Sequence, residues 1–315
     1  MDWNEVIIRD ARPLCADVMS IELEYDERLP AFDPGSHIDV RVEIADRQEV
    51  RSYSVVERLS DTSLRVAVRR LENGRGGSRY MHTLASGHRL MATLPSNHFS
   101  LGFEAPFVLL LAGGIGITPL IGMARALRRH HVPFRFVYLG RSRSGMPFLD
   151  DLASEFRDDF LASIDEETGV ADLSNLVADL PLNAEVYMCG PGPMMEGVRS
   201  IWASAGRPAE RLRFETFGNM GGAPAQPFRV VLPQHGLDLI VPADRTLLDI
   251  LDEAGADPIF NCRRGECGLC AVDVVSLDGT IDHRDVFFSE RERQEAKHFC
   301  SCVSRVTGTV TIEIP

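Results

Sequence analysis

Over the first hundred residues, apolar and polar positions alternate in short runs: VMSIELEY (18–25), HIDVRVEI (37–44), RSYSVV (51–56), SLRVAVRR (63–70) and HRLMATLP (88–95). A period of two, rich in β-branched side chains and broken by Pro, Gly and Asp, predicts strands of an antiparallel β-barrel or sandwich. After Phe107 the pattern changes. FVLLLAGG is continuously apolar and ends in glycines, which predicts a strand buried on both faces. A helical pattern runs from Pro119 through LIGMARALRR, followed by a second buried run, FRFVYLG (134–140). AEVYMCG (184–190) and GPMMEGVRSIWASAG (192–206) repeat the strand-to-helix order. Such alternation predicts an α/β doubly wound domain with a parallel sheet. GNMGGAPAQP (218–227) reads as a linker. Beyond it come two strands from Phe228, a helix beginning near Thr246, a cysteine-rich stretch and a final strand, TGTVTIEIP. No internal repeat is visible.

Composition narrows the possibilities. A chain of 315 residues predicts two or three domains, and 44% hydrophobic residues supply packed cores. No apolar stretch approaches the roughly 18–20 residues that span a bilayer. The segment MDWNEVIIRD has no signal-peptide core, so the expectation is a cytoplasmic protein with no membrane partner. With 46 acidic against 33 basic residues and a net charge of −13, general nucleic-acid binding is excluded as an expectation. Of seven cysteines, Cys15 and Cys189 stand alone, while Cys262, Cys267, Cys270, Cys300 and Cys302 are concentrated near the C-terminus. An odd number without an export signal favours a metal or cluster site over disulfides.

Cys262, Cys267 and Cys270 have the spacing C-x4-C-x2-C within NCRRGECGLC. Thiolates so spaced, with Gly265 and Gly268 between them, suit a backbone that curls around inorganic sulfide and donates N–H groups to it. Zinc sites instead pair C-x2-C with a second such pair or with histidines. A fourth ligand must come from elsewhere, and Cys300 and Cys302 are both available. The region resembles plant-type ferredoxins, and more closely the ferredoxin domain of oxygenase reductases, in TLLDILDEAGADPIFNCRRGECGLC, DHRD (282–285) and CVSR (302–305). That resemblance implies a β-grasp α+β fold, a [2Fe–2S] cluster and Cys302, in a C-x-S-R string, as the last ligand. Cys300 competes through its 29-residue gap from Cys270. His283 is expected to be a structural hydrogen-bonder. No Rieske ligand pattern and no 2-His-1-carboxylate set stands out, so the chain reads as a supplier of electrons rather than an oxygenase.

Arg51-Ser52-Tyr53-Ser54 on a barrel strand is weak evidence alone. It gains weight from GRGGS (74–78), where the N–H groups of Gly76, Gly77 and Ser78 form an anion nest. Arg51, Arg69, Arg70, Arg75 and Arg79 crowd the same region of an acidic chain. RSYS, AVRR, GRGGSRYMH (74–82) and PSNHFSL (95–101) resemble the flavin domain of the ferredoxin–NADP reductase superfamily, in its phthalate dioxygenase reductase branch. The resemblance implies FMN, with FAD as the alternative. It places Arg51 and Ser78 at the phosphate and Tyr53 and Ser54 along the isoalloxazine, with Ser54 near N5. Ser52, Val68, Arg69, Gly76 and Gly77 complete the flavin set.

AGGIGITP (112–119) follows a buried strand and opens a helix, where Gly114 and Gly116 permit close approach, Thr118 can cap and Pro119 suits the first turn. A helix start offers N–H groups to a pyrophosphate. Its counterpart is CGPGPMM (189–195), and both resemble the nucleotide domain of the same superfamily. The resemblance places Cys189, Gly190 and Pro191 against the nicotinamide, Arg141 near the adenosine ribose, and Glu215 and Phe217 near the flavin. It favours NADH, with NADPH as the alternative.

The expected organisation is an FMN-binding barrel (1–102), an NAD-binding domain (103–220), a linker (221–227) and a ferredoxin domain (228–315). Ser54 and Cys189 are the residues expected at the hydride transfer. The implied function is the reductase of a two-component Rieske-type oxygenase or demethylase, monomeric, carrying electrons from NADH through FMN and [2Fe–2S] to the oxygenase. Alternatives are a stand-alone flavin or quinone reductase, a donor to a cytochrome P450, and a redox sensor.

Overall fold

The computed structural model describes residues 2–45, 47–72, 74–217 and 224–315. They form two compact units that divide between Phe214 and Glu215. The division falls earlier than the expected boundary at 220, and the linker call at 221–227 lies outside the described residues at 221–223.

The first unit opens with an antiparallel barrel: β1 (Trp3–Cys15), β2 (Val18–Tyr25), β3 (Ser36–Ile44), β4 (Arg47–Arg58), β5 (Ser63–Arg69), β6 (Arg89–Thr93) and β7 (Ser96–Asn97). The strand order is β4-β5-β2-β1-β6-β3-β7, and the β3–β4 pairing closes the barrel. Alternate residues of these strands, among them Ile21, Leu23, Ile38, Val40, Leu64 and Val66, meet in its core. Sequence pattern missed β1. Pro13 and its charged residues obscure the alternation, and the register shifts at Ile8/Asp10 and Pro13/Cys15 break the period of two. A short helix, α1 (Gly77–Met81), lies between β5 and β6.

The parallel sheet follows: β8 (Val108–Gly113), α2 (Ile117–Arg129), β9 (Phe134–Gly140), α3 (Leu149–Phe156), β10 (Phe160–Ile164), α4 (Asp165–Thr168), α5 (Leu173–Ala178), β11 (Glu185–Cys189), α6 (Gly192–Ser204) and β12 (Leu212–Glu215). Its order is β10-β9-β8-β11-β12, with β8 parallel to both β9 and β11. Every residue of β8 is buried, as its unbroken apolar run requires. Strand order reverses between β8 and β11, so a crevice opens beyond their C-terminal ends. Barrel and sheet group as one unit because they share a core: Val18, Val56 and Ala67 of the barrel pack with Ile117, Leu120 and Ile121 of α2. Arg125 of α2 also pairs with Glu57 of β4 at 2.8 Å.

The second unit contains β13 (Phe228–Leu232), β14 (Leu237–Val241), α7 (Leu247–Glu253), β15 (Ala271–Asp282), α8 (Glu290–Glu295), β16 (His298–Cys300) and β17 (Arg305–Glu313). The sheet order β14-β13-β17-β15-β16, with β13 and β17 parallel, is that of a β-grasp fold. Thr246 caps α7 in a reciprocal box with Asp249. Leu247 and Leu251 then face a core with Val230, Phe299 and Val310. No helix among the described residues is long and apolar enough to cross a membrane.

Candidate functional site

Strand β4 and the turn before α1 come together at the barrel rim. A Cβ on Gly77 would lie 2.7 Å from Arg51 Cγ, so only glycine lets the arginine stem lie against this turn. Arg51 Nη2 donates to Glu49 at 2.5 Å and to the Arg75 carbonyl at 3.4 Å. An anion at Arg51 would therefore compete with Glu49, a neighbour that sequence reasoning did not single out. Gly76 packs on Ile44, and the Leu71 N–H donates to Ser78 Oγ at 3.0 Å. Ser52 points across the ladder and donates to Asp39 at 2.5 Å. Tyr53 packs on the barrel core, where burial pushes its phenol far above the usual range despite Arg51. Ser54 is buried. Val68 is buried too, and its carbonyl meets His82 Nε2 at 2.8 Å, another contact absent from the sequence analysis. Arg69 donates to Asp17 at 2.6 Å.

At the crevice, the two glycine turns touch. A Cβ on Gly116 would fall 2.1 Å from the Cys189 carbonyl oxygen and 2.8 Å from the Gly190 nitrogen. One on Gly113 would fall 2.5 Å from Pro191 Cδ. Side chains are excluded here, and what remains is close-packed backbone ahead of α2 and α6. The expectation for Thr118 needs correction. The N-cap of α2 is Gly116, without a side-chain cap, and Thr118 lies inside the helix, donating to the Ile115 carbonyl at 3.0 Å. The helix starts at Ile117, which keeps Pro119 in its first turn. Cys189 ends β11 in a buried position, and Arg141 is exposed just beyond β9. Arg69 Nη1 would lie 3.2 Å from a Cβ on Gly114, so strand β5 reaches the glycine loop after β8.

In the second unit, the Arg264, Glu266 and Cys267 N–H groups all donate to Cys262 Sγ at 3.4 Å. Burial raises the Cys262 thiol, and these three donors oppose the rise. Gly265 and Gly268 have φ of +75° and +73°, and their missing side chains make room for Asp285 and the Phe287 ring. The curl expected from the spacing is therefore built. Cys270, Cys300 and Cys302 lie in one buried group, and interaction with the other two holds the Cys270 thiol far below its ordinary range. Thiolate ligands, N–H donors and an enclosing glycine loop fit a [2Fe–2S] cluster.

Two supports were not legible in the sequence. Arg264 forms a buried pair with Glu215 at 2.6 Å, with 7% and 1% of their side chains exposed. Glu215, expected near a flavin, has this cluster-loop arginine as a partner. Glu266 also accepts the Thr216 N–H at 2.6 Å. The DHRD string supplies Asp285, which accepts from the Phe288 N–H and Ser304 Oγ and meets His283 at 3.4 Å. Phe217 is 46% exposed.

Comparison with known proteins agrees with this geometry. Residues 5–101 match an oxidoreductase FAD-binding domain, and residues 233–307 match a 2Fe-2S iron-sulfur cluster binding domain. Over 310 residues the chain is 34% identical to the carnitine monooxygenase reductase subunit of Escherichia coli K12, covering 96% of each. A solved phthalate dioxygenase reductase, described as modular for electron transfer from pyridine nucleotides to [2Fe–2S], superposes with a TM-score of 0.82. It is 30% identical, covering 99% of this chain and 98% of that one. The chain belongs to the phthalate dioxygenase reductase family. This reductase is an iron–sulfur flavoprotein oxidoreductase, and its expected three-part fold is the fold observed. It is also 35% identical over 311 residues to the heme-dependent oxidative N-demethylase beta subunit of Ectopseudomonas mendocina, covering 98% of this chain and 97% of that protein.

Proposed function

We propose that the reductase draws electrons from NADH through FMN to a [2Fe–2S] cluster and delivers them to a Rieske-type terminal oxygenase, as a monomer in the cytoplasm. The observation that carries this reading is the meeting of the two glycine turns at the sheet crevice with Arg69 of the flavin strand beside Gly114. Such an arrangement suits one crevice shared by nicotinamide and flavin. A bound flavin supplies the ability to accept two electrons as a hydride and release them singly, which a one-electron cluster requires.

The chain's own residues position and screen. Arg51, Gly76, Gly77 and Ser78 hold the flavin phosphate, and Ser52, Tyr53, Ser54, Val68 and Arg69 line the flavin. Gly114, Gly116, Thr118 and Pro119 present the start of α2 to the pyrophosphate, and Arg141 addresses the ribose. Cys189, Gly190 and Pro191 back the nicotinamide, with Ser54 facing the transferred hydride. Phe217 stays in the cofactor-binding set on the resemblance alone. Cys262, Cys267, Cys270 and Cys302 bind the cluster, with Cys302 chosen over Cys300 because it stands in the C-x-S-R string of the resemblance.

From Phe228 onward, acidic residues outnumber basic ones by fifteen to nine, which favours docking on a basic partner surface. A second acceptor class, a haem oxygenase, draws support from the relative named for heme-dependent N-demethylation. Anaerobic titration with NADH should bleach flavin and cluster absorption together. A cluster band that stays oxidised when the flavin is fully reduced would overturn the proposed path. Coupled turnover with a Rieske oxygenase should fall as salt rises, and turnover only with a haem partner would reassign the acceptor.

A further inference from the structure

The N–H groups of Arg264 and Glu266 donate to Cys262 Sγ, each at 3.4 Å. Gly265 between them, at φ +75°, makes the turn that lets both reach one sulfur. The same two residues are gripped from a distant segment. Glu215 accepts from Arg264 Nη1 at 2.6 Å. Thr216 donates its N–H to Glu266 Oε1 at 2.6 Å, and its hydroxyl lies 3.1 Å from the Arg264 carbonyl and 3.0 Å from Glu266 Oε1. Arg264 Nη2 lies 3.5 Å from Glu266 Oε2, which closes the ring. Glu215, Thr216 and Arg264 are all buried, so water has little access to replace any of these contacts. Neither Glu215 nor Thr216 falls within residues 233–307, the segment that matches the 2Fe-2S domain. The grip on the cysteine loop is therefore supplied from outside that segment.

We propose that Glu215 and Thr216 are positioning residues for the cluster: by fixing Arg264 and Glu266, they hold two N–H groups on the Cys262 sulfur and keep the reduction potential raised. The inference rests on the proposed role of Cys262 as a cluster ligand. A donor to a ligand sulfur withdraws electron density from it, which stabilises the reduced and more negative cluster. A backbone N–H keeps its aim only while the turn that carries it is fixed. Here the fixing contacts fall on the two donor residues themselves, at the Arg264 carbonyl and guanidinium and at the Glu266 carboxylate. Thr216 isolates the effect. Removing Glu215 would also remove a negative charge, which by itself raises the potential, whereas Thr216 is neutral and acts through hydrogen bonds alone.

The test compares the full-length holoprotein with its Thr216→Val, Thr216→Ser and Cys262→Ser variants by iron and sulfide content, electron paramagnetic resonance and midpoint potential. Valine matches the shape of threonine without the hydroxyl, so Thr216→Val should keep two irons and two sulfides and titrate at a lower potential. Thr216→Ser retains the hydroxyl and should stay at the wild-type potential. Cys262→Ser should lose the cluster or show an altered resonance signal. Cluster loss in Thr216→Val alone, with Thr216→Ser intact at the wild-type potential, also supports the role of the hydroxyl. An intact cluster with unchanged potential in Thr216→Val, or equal changes in both Thr216 variants, would overturn the positioning role and leave the ligand assignment standing. A full complement of iron with an unaltered signal in Cys262→Ser would overturn the ligand assignment, and the proposal with it.

Discussion

The nucleotide crevice and the cluster loop solve related problems with different parts of the peptide. At the crevice, the site is defined by missing side chains: Gly113 and Gly116 let one turn lie on the backbone of Cys189 and Gly190. In the cysteine loop, the proposed site is defined by side chains, the sulfurs, which N–H groups support at Cys262. A site made of backbone should fail gradually, through volume. One made of ligands should fail abruptly, through the loss of a single atom.

The largest expected effect tests that contrast. Cys267→Ser should abolish the [2Fe–2S] absorption and electron delivery to cytochrome c while NADH still reduces the flavin, as followed with ferricyanide. A full iron complement and undiminished cytochrome c reduction would break the comparison. Arg264→Leu comes next, because it removes the guanidinium that pairs with the buried Glu215. The loss should be about 3–5 kcal/mol in denaturant unfolding followed at the cluster band, and the added Glu215→Gln change should recover part of it. Full additivity of the two changes would show that the pair is not coupled.

The crevice should give smaller numbers. Gly116→Ala forces a methyl group against the Cys189 carbonyl and should cost about 1–3 kcal/mol, raising KM for NADH while flavin content stays constant. Gly122→Ala, in α2, has neighbours no closer than 3.5 Å and should leave KM unchanged. Equal effects of the two would remove volume as the explanation. The smallest effect is acid sensitivity. Burial pushes the Asp285 carboxyl up, but hydrogen bonds from His283 and the Phe288 N–H, with the Arg293 charge, more than offset it and leave it below the usual range. A carboxyl lowered in the folded state adds stability above its unfolded pKa and loses that stability as pH falls through the folded one. Acid should therefore loosen the cluster unit in the low carboxylate range, and Asp285→Asn should flatten that limb of its stability profile.

Legibility followed the kind of signal each element carries. The ends of β2 and β9 coincide with their sequence runs, because period-two and all-apolar patterns report burial directly. Strand β1 was illegible because its two irregularities shift the side-chain phase. Thr118 looked like a cap because residue type indicates capping potential but not where the first helical turn closes. The cysteine spacing marked the cluster loop, whereas nothing local links Arg264 to Glu215, forty-nine positions away.

By itself, the sequence determined the period and burial of most strands, the glycine turns and the spacing of the cysteines. These are local properties, set by side-chain chemistry and spacing. Only the tertiary structure decided that barrel and sheet share one core, that Gly116 rests on Cys189, that Glu215 answers Arg264, and that Cys300 and Cys302 are buried with Cys270. Those outcomes depend on packing between distant segments, where volume and buried charge must be satisfied together, and no single stretch of sequence contains both partners.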